Sequence, residues 1–421
     1  MTLSMPEPVA RHHFLKPLLK PQIRQAVISG TLLLLATSVL VFCICDSASA
    51  GSRKPHAATH TTTHTTKLAD TSSIINLPVV QLPQTDSLAQ IIAQNNSARV
   101  VLVGEKHTRW DHHLVQLGIL KLLYQKSAKL AIGVEWFQQP YQKYLDAYIA
   151  GEMSEQEMLH LTEYYERWRY DYRLYRPIIQ YAREHNIPVI ALNASQELSN
   201  ALSKSGFDDL PEEFKAQLPA SYDWSDKGYE QRLRSVFEAH PEYAGKFEDF
   251  LRGQLTWDES MAERAVHYLD ENPESRLLIF AGNGHIAYGS GIPNRIKRRT
   301  DVEQFSILVS EDYLPISDNI ADFLVLSAKQ SLQPVGLIGA LLETEGKLVV
   351  IKGFSDNSAI KDAGVEKGTV IISVDDEKVE SFADFKLAIM GKKPGDSVEL
   401  HYLENAEAGS KDKKSIKLEL R

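Results

Sequence analysis

Cysteine is almost missing from this chain. Of 421 residues only two are cysteines, Cys43 and Cys45, and both lie inside one apolar run. Everything after residue 50 is free of thiols. That excludes disulfides, a cysteine nucleophile and thiolate metal ligands there. A basic surface is missing too. Without residues 1–50 the chain carries 42 basic and 53 acidic side chains, a balance of −11. Such an acidic surface argues against nucleic acid as a partner. Long apolar runs are equally scarce, since the sequence has one, AVISGTLLLLATSVLVFCIC at residues 26–45.

That run holds no charge and is long enough to span a bilayer as a helix. Arg11, Lys16, Lys20 and Arg24 precede it, so its N-terminal side should stay inside and the remainder should be exported. Two fates of residues 1–50 fit. Ala48-Ser49-Ala50 is a small-x-small site for signal peptidase, giving a mature chain from Gly51. Without cleavage, the run stays as a membrane anchor. Phe42 and Ile44, ahead of the two cysteines, are larger than a lipid-modification site expects. Either fate predicts the periplasm or cell envelope. Residues 51–75 then read as a disordered linker. His56, His60 and His64 recur there every four residues, a spacing that suits weak metal capture but also a plain spacer.

From residue 76 to 330 the pattern becomes strands alternating with helices. Apolar runs fall at 99–103, 130–134, 187–192, 276–281 and 305–309, and amphipathic stretches separate them. This alternation predicts an α/β fold with a mostly parallel sheet, helices on both faces and a helical insertion. Thr108-x-x-Asp111 and Thr256-x-x-Glu259 resemble capping boxes that would open two of the helices. After residue 330 the text changes to short strands, turns and small helices. Residues 331–421 read as a separate small β-rich domain.

The chemistry sits at strand ends. RVVLVGEKH places Glu105 and His107 after one strand, GVEWF places Glu135 after another, and LLIFAGNGH places Asn283 and His285 after a third. In an open parallel sheet ligands bind outside the carboxyl ends of the strands, so these residues should share one crevice. A Glu/His/Glu/His set suits two tasks. Glu105, His107 and His285 could ligate a divalent metal such as zinc or iron, or Glu105, His107, Glu135 and His285 could do acid–base work on a bound water. Taken singly, each is equally a hydrogen-bonded turn or cap.

The segment YYERWRYDYRLYRP, residues 164–177, packs five tyrosines, one tryptophan and four arginines into fourteen residues. As a helix it would put Tyr165, Arg169, Tyr172 and Arg176 on one face. Arginines beside aromatic rings suit an anionic planar ligand, and tyrosinate is one kind of haem iron ligand. The plainer reading is a helix packed by its tyrosines with solvated arginines.

GEKHTRWDHH, GVEWF, YRLYRPIIQYAREHNIPVIALN, LTWDESMAERAVHYL and FAGNGHIAYGSGIP, in this order, resemble the ChaN-like haem-binding uptake proteins. These belong to a wider group with Tiki proteases and erythromycin-esterase-like enzymes. The resemblance implies an α/β fold, export, and haem held through tyrosine and histidine in a homodimer, without saying which tyrosine; the candidate contacts read from the residues themselves are Tyr165, Arg169, Tyr172, Arg176 and Asn283. The wider group's motifs fall on Gly104 to His107, Glu135, and Gly282 to His285, which are catalytic or metal-binding in its enzyme branches. Residues from about 335 onward, with Leu337-Ile338-Gly339 and SAIKDAGVEKGTVIISVDDEKV, resemble a bacterial PDZ domain. There the Leu337–Gly339 loop would hold the C-terminal carboxylate of a peptide or protein added as a strand. Two functions fit the resemblance: haem or iron acquisition with the PDZ domain docking a partner, and a metal-dependent or Glu/His-dependent hydrolase with the PDZ domain presenting substrate.

Overall fold

Valine- and isoleucine-rich segments buried on both faces can only sit inside a layered sheet, and six of them do so here. The structure is a computed structural model, describing residues 87–240, 245–310, 319–404 and 413–421. The apolar run and linker before residue 76 lie outside the described residues. The strands are β1 (Val100–Glu105), β2 (Leu130–Gln138), β3 (Val189–Asn193), β4 (Arg276–Gly282), β5 (Gln304–Ser310) and β6 (Phe323–Leu326). They align in the order β3-β2-β4-β1-β5-β6, every pairing parallel. Five of the six were expected. The sixth, FLVL at the sheet edge, is only half-buried along its length, too short and too weakly apolar to stand out in the sequence.

β1 lies in the middle, between β4 and β5. The chain leaves β1 toward β2 and β3, returns to β4, then continues on the other side through β5 and β6. The strand ends around β1 therefore open a crevice at the switch point, where ligands bind in open sheets of this kind. Helices cover both faces. One core joins Val101 and Val103 to Ile119, Leu120 and Tyr172. The other joins Val100 and Leu102 to Met261, Ala262, Ala265 and Leu269 of the 25-residue helix Phe247–Glu271. Among the described residues no helix is long and apolar enough to cross a membrane.

Both expected capping boxes fail. Helix Trp110–Lys126 starts after Arg109, which makes no side-chain cap, and Asp111 instead pairs with Arg109 at 2.9 Å. Thr256 lies inside helix Phe247–Glu271, its hydroxyl donating to the Arg252 carbonyl at 2.8 Å. The apolar stripe that follows extends the helix upstream past the apparent cap.

The C-terminal domain holds a second sheet, with β7 (Ala340–Glu345), β8 (Leu348–Phe354), β9 (Val370–Val374), β10 (Glu377–Lys378), β11 (Ser397–Leu403) and β12 (Lys413–Glu419). The order is β12-β11-β9-β8-β7, with β10 on β9, and the pairings are antiparallel. β7 is an edge strand. Helix Phe382–Ala388 lies beside it, and the Phe382 N–H donates to the Thr344 hydroxyl of β7 at 2.8 Å.

Candidate functional site

The strand ends bring the expected residues together as two ion pairs within electrostatic reach of each other. Glu105 ends β1 wholly buried, and its Oε1 lies 2.5 Å from Nδ1 of His107. Its Oε2 has no hydrogen-bond partner among the described residues. Trp168 and Tyr170 cover the His107 ring, with centroids 4.8 and 4.9 Å away. His113 Nε2 lies 3.1 Å from the His107 carbonyl, fixing the turn from behind. A Cβ at Gly104 would lie 2.3 Å from Leu308 and 2.5 Å from the Asn283 amide oxygen, so any larger residue there would have to displace both side chains.

The second pair is a chain of ions. Glu135, inside β2, accepts the Gly282 N–H at 2.7 Å, and its other oxygen lies 3.3 Å from His285 Nε2. His285 Nδ1 is 2.6 Å from Asp258, which also accepts the Tyr229 hydroxyl at 2.6 Å. Beyond it, the Arg295 guanidinium stacks on Tyr229 at 4.5 Å and lies 3.2 Å from Glu259, which Arg298 and Arg299 also meet. A histidine between two carboxylates should be an imidazolium. Burial works against charge on His285, but Glu135 and Asp258 outweigh it and hold its pKa well above the ordinary value. Glu135 is correspondingly held low, burial being overcome by His285 and His107. His107 is raised too: burial pulls it down, and Glu105 and Glu135 pull it up.

Asp258 escaped the sequence reading, and Glu259 entered it only as the acid of an expected capping box. Their signal was present, as two adjacent acids in WDES at the head of the buried stripe of an amphipathic helix. Gly282 has a negative φ (−59°) and acts through its N–H on Glu135. The left-handed residues come later, at Tyr288 (φ 63), Gly289 and Gly291. At Gly291 a Cβ would lie 2.2 Å from the His285 carbonyl oxygen.

The three expected metal ligands, Glu105, His107 and His285, are each engaged by protein partners in this structure. Glu105 and His107 point at each other, while His285 is used by Glu135 and Asp258. Among the described residues no group of three or more His, Asp or Glu side chains is placed to hold a metal ion.

The shared helical face of Tyr165, Arg169, Tyr172 and Arg176 is corrected. The segment breaks into a single turn, Tyr164–Arg167, a 3₁₀ turn, Tyr172–Leu174, and helix Arg176–Glu184. Arg169 has φ 68 between the first two. Tyr164, Tyr172 and Tyr175 are sealed in the core, and burial pushes all three phenols well above their ordinary range. Tyr165 is buried too, and its phenol is raised by the same cause. Arg176 is spent on Glu155 at 2.7 Å. Packing claimed these rings because the sheet face beneath them needs an apolar cover. Asn283 stays at the site, its amide oxygen buried without a partner among the described residues.

One tyrosine of this region faces solvent. Tyr288, three residues after His285, is 39% exposed, with the Arg232 guanidinium 4.7 Å from its ring. Its neighbour Gly289 lines an open cavity of about 530 Å³ together with Pro293, Lys297, Gln304 and Asp322.

In the C-terminal domain the expected carboxylate loop is present but already partly used. The Leu337 N–H donates to the Arg421 carbonyl at 2.9 Å, so it cannot also hold a peptide terminus. The N–H groups of Ile338 and Gly339 are the donors left to that task. Leu337, Leu341 and Phe382 are exposed along the β7 edge.

Residues 91–296 match the family described as haem-binding uptake, Tiki superfamily, ChaN, and residues 336–418 match the PDZ domain family. No relative is found among curated proteins. Among solved structures, one described as cofacial heme binding to ChaN of Campylobacter jejuni is 17% identical. It covers 58% of this chain and 93% of its own, with a TM-score of 0.48. A mutant of the erythromycin esterase EreC in its open conformation is 14% identical over 57% of this chain and 78% of its own, with a TM-score of 0.33. The PDZ domain of a carboxy-terminal protease from Vibrio cholerae, in complex with peptide, is 20% identical. It covers 20% of this chain and 93% of its own, with a TM-score of 0.17.

Proposed function

We propose that this chain, a ChaN-like domain followed by a PDZ domain, is an exported haem-binding protein of the cell envelope that docks a partner peptide. It would act in haem or iron acquisition, attached to the membrane through residues 1–50. The observation that carries the haem reading is Tyr288, an accessible phenol in the matched region. The sealed tyrosines at 164, 165, 172 and 175 do not fit the role, because an iron ligand must reach solvent and give up its proton. Tyr288 fits, and next to it, at Gly289, opens a cavity of about 530 Å³ with a mixed lining in which Pro293, Val302 and Phe305 are apolar and Lys297 would take a carboxylate of such a ligand. Bound haem would supply its iron for storage or transfer, and the protein's part is to grip, orient and release it. An exposed ligand residue also suits a homodimer in which two sites face each other. Adding hemin to the full chain in detergent should give a Soret shift that saturates at a fixed stoichiometry. A spectrum that stays that of free hemin, in monomer and dimer alike, removes the reading.

A second reading rests on the Glu105–His107 pair. A buried carboxylate with one oxygen outside hydrogen-bond distance of any described partner, His113 Nε2 being 3.8 Å away, beside a histidine is also what a hydrolase needs to activate water, without a metal. In that reading Glu135 and His285 set the field around the reacting group and the PDZ domain presents a peptide. His107→Gln would then abolish hydrolysis of a peptide or ester panel; a panel that no wild-type sample cleaves counts against it.

A further inference from the structure

One helix belongs to two cores. In and just after helix Phe382–Ala388, Phe385 and Ile389 lie in the C-terminal core with Val379 and Val398. Ala383 and Leu387, one turn apart on another face, are buried in the core of the large domain with Leu159 and Tyr164. Polar contacts flank this seam. His160 Nδ1 lies 3.1 Å from Asp384, and Arg173 donates to the Gln333 carbonyl at 2.7 Å. The same helix, through Phe382, walls the groove at the free edge of β7.

The segment on the other side of the seam is strained. Glu163 (φ 51) and Arg169 (φ 68) are left-handed without being glycine, a conformation that persists only where the surroundings over-determine it. Trp168 and Tyr170, beside the second of them, are the rings that cover His107. Packed contacts therefore run from the β7 edge, through one helix, to the lid over the Glu105–His107 pair. We propose that a peptide strand added at the β7 edge resets Trp168 and Tyr170 over His107, coupling peptide occupancy of the C-terminal domain to access to the Glu105–His107 pair. A strand added at the β7 edge packs against the helix wall, and we take it to shift that wall. That wall cannot move alone, because its opposite face is close-packed against the strained segment. The coupling is reciprocal, so whatever opens the lid also changes peptide affinity.

The inference rests on the peptide-docking half of the proposed function and is independent of the haem half. Decapeptides with a free C-terminal carboxylate are selected from a random library on the full chain, and the tightest is added at saturation. Mass spectrometry follows backbone hydrogen exchange at residues 163–173 and the slow C2–H exchange of the His107 ring. Peptide should change both rates by about fivefold or more, the lower end of ordinary allosteric coupling. Leu387→Ala should retain peptide affinity and lose most of the change; should it fold poorly, Met390→Ala, whose side chain packs on the same large-domain core, should do the same. Peptide that binds and leaves both rates unaltered overturns the coupling alone. So does a change that persists at full size in the seam variants. Failure to select any binding peptide overturns the docking reading, and the coupling falls with it.

Discussion

The two histidines at the end of the sheet are held in opposite styles. His285 lies between Glu135 at 3.3 Å and Asp258 at 2.6 Å, with further charges behind, whereas His107 has Glu105 on one side and two aromatic rings on the other. Two carboxylates around one imidazole make a fixed cation, and a fixed cation in the interior is chiefly architectural. One hydrogen-bonded carboxylate and a cover of two rings hold the other histidine with far less charge around it. The same residue types at the ends of neighbouring strands thus sit in an ionic setting and in a largely aromatic one. The difference comes from helix Phe247–Glu271, which delivers Asp258 to one histidine and nothing to the other.

The largest expected effect separates the two directly. Glu135→Gln leaves His285 with one counter-charge in a dry site and should cost about 3–5 kcal/mol in urea unfolding. Glu105→Gln removes a charge-assisted hydrogen bond and should cost about 1.5–3 kcal/mol. Equal costs would erase the distinction.

The pH dependence should sharpen it. Both raised histidines contribute stability that is complete below the ordinary histidine pKa and is lost as pH rises through their raised values. His107→Gln should therefore flatten the alkaline side of the stability curve. His112 has the opposite sign. Burial, with Arg109 nearby, lowers it to about 4 despite Asp111, so the protein should lose stability as pH falls from about 6.5 to about 4. That loss should be roughly 2–4 kcal/mol, and His112→Gln should remove it. The smallest effect is expected from Trp168→Ala, which uncovers His107 without taking away a charge. It should speed His107 C2–H exchange while His285 is unchanged, and an equal effect on both rings would mean that the cover is shared.

Much of this was legible in the sequence. Uninterrupted runs such as RVVLV and LLIFA can only be buried strands, and the polar residues that stop them point to a shared crevice. What misled was the segment at 164–177. Tyrosine and arginine interleaved at helical spacing look like a ligand surface, but whether a ring faces solvent or core depends on which sheet face needs covering, and that is a tertiary fact. Arg169 in a left-handed conformation breaks the helix there with no glycine or proline to announce it. Asp258 was hidden for a related reason: an acid inside an amphipathic helix reads as solvent-facing until its partner arrives from a strand end far along the chain. Tyr288 was in plain view in AGNGHIAYGSG, yet its exposure depends on the turn through Gly289 and Gly291.

The central claim is that haem is gripped by an exposed tyrosine rather than by the buried ones, and hemin titration of matched variants of the full chain tests it most directly. Tyr288→Phe should abolish the Soret shift or weaken hemin binding by at least tenfold, since outer-shell partners of metal sites alone are worth about 10–100-fold. Tyr165→Phe should titrate like the wild type. Unchanged binding in Tyr288→Phe, together with loss in Tyr165→Phe, would contradict the account.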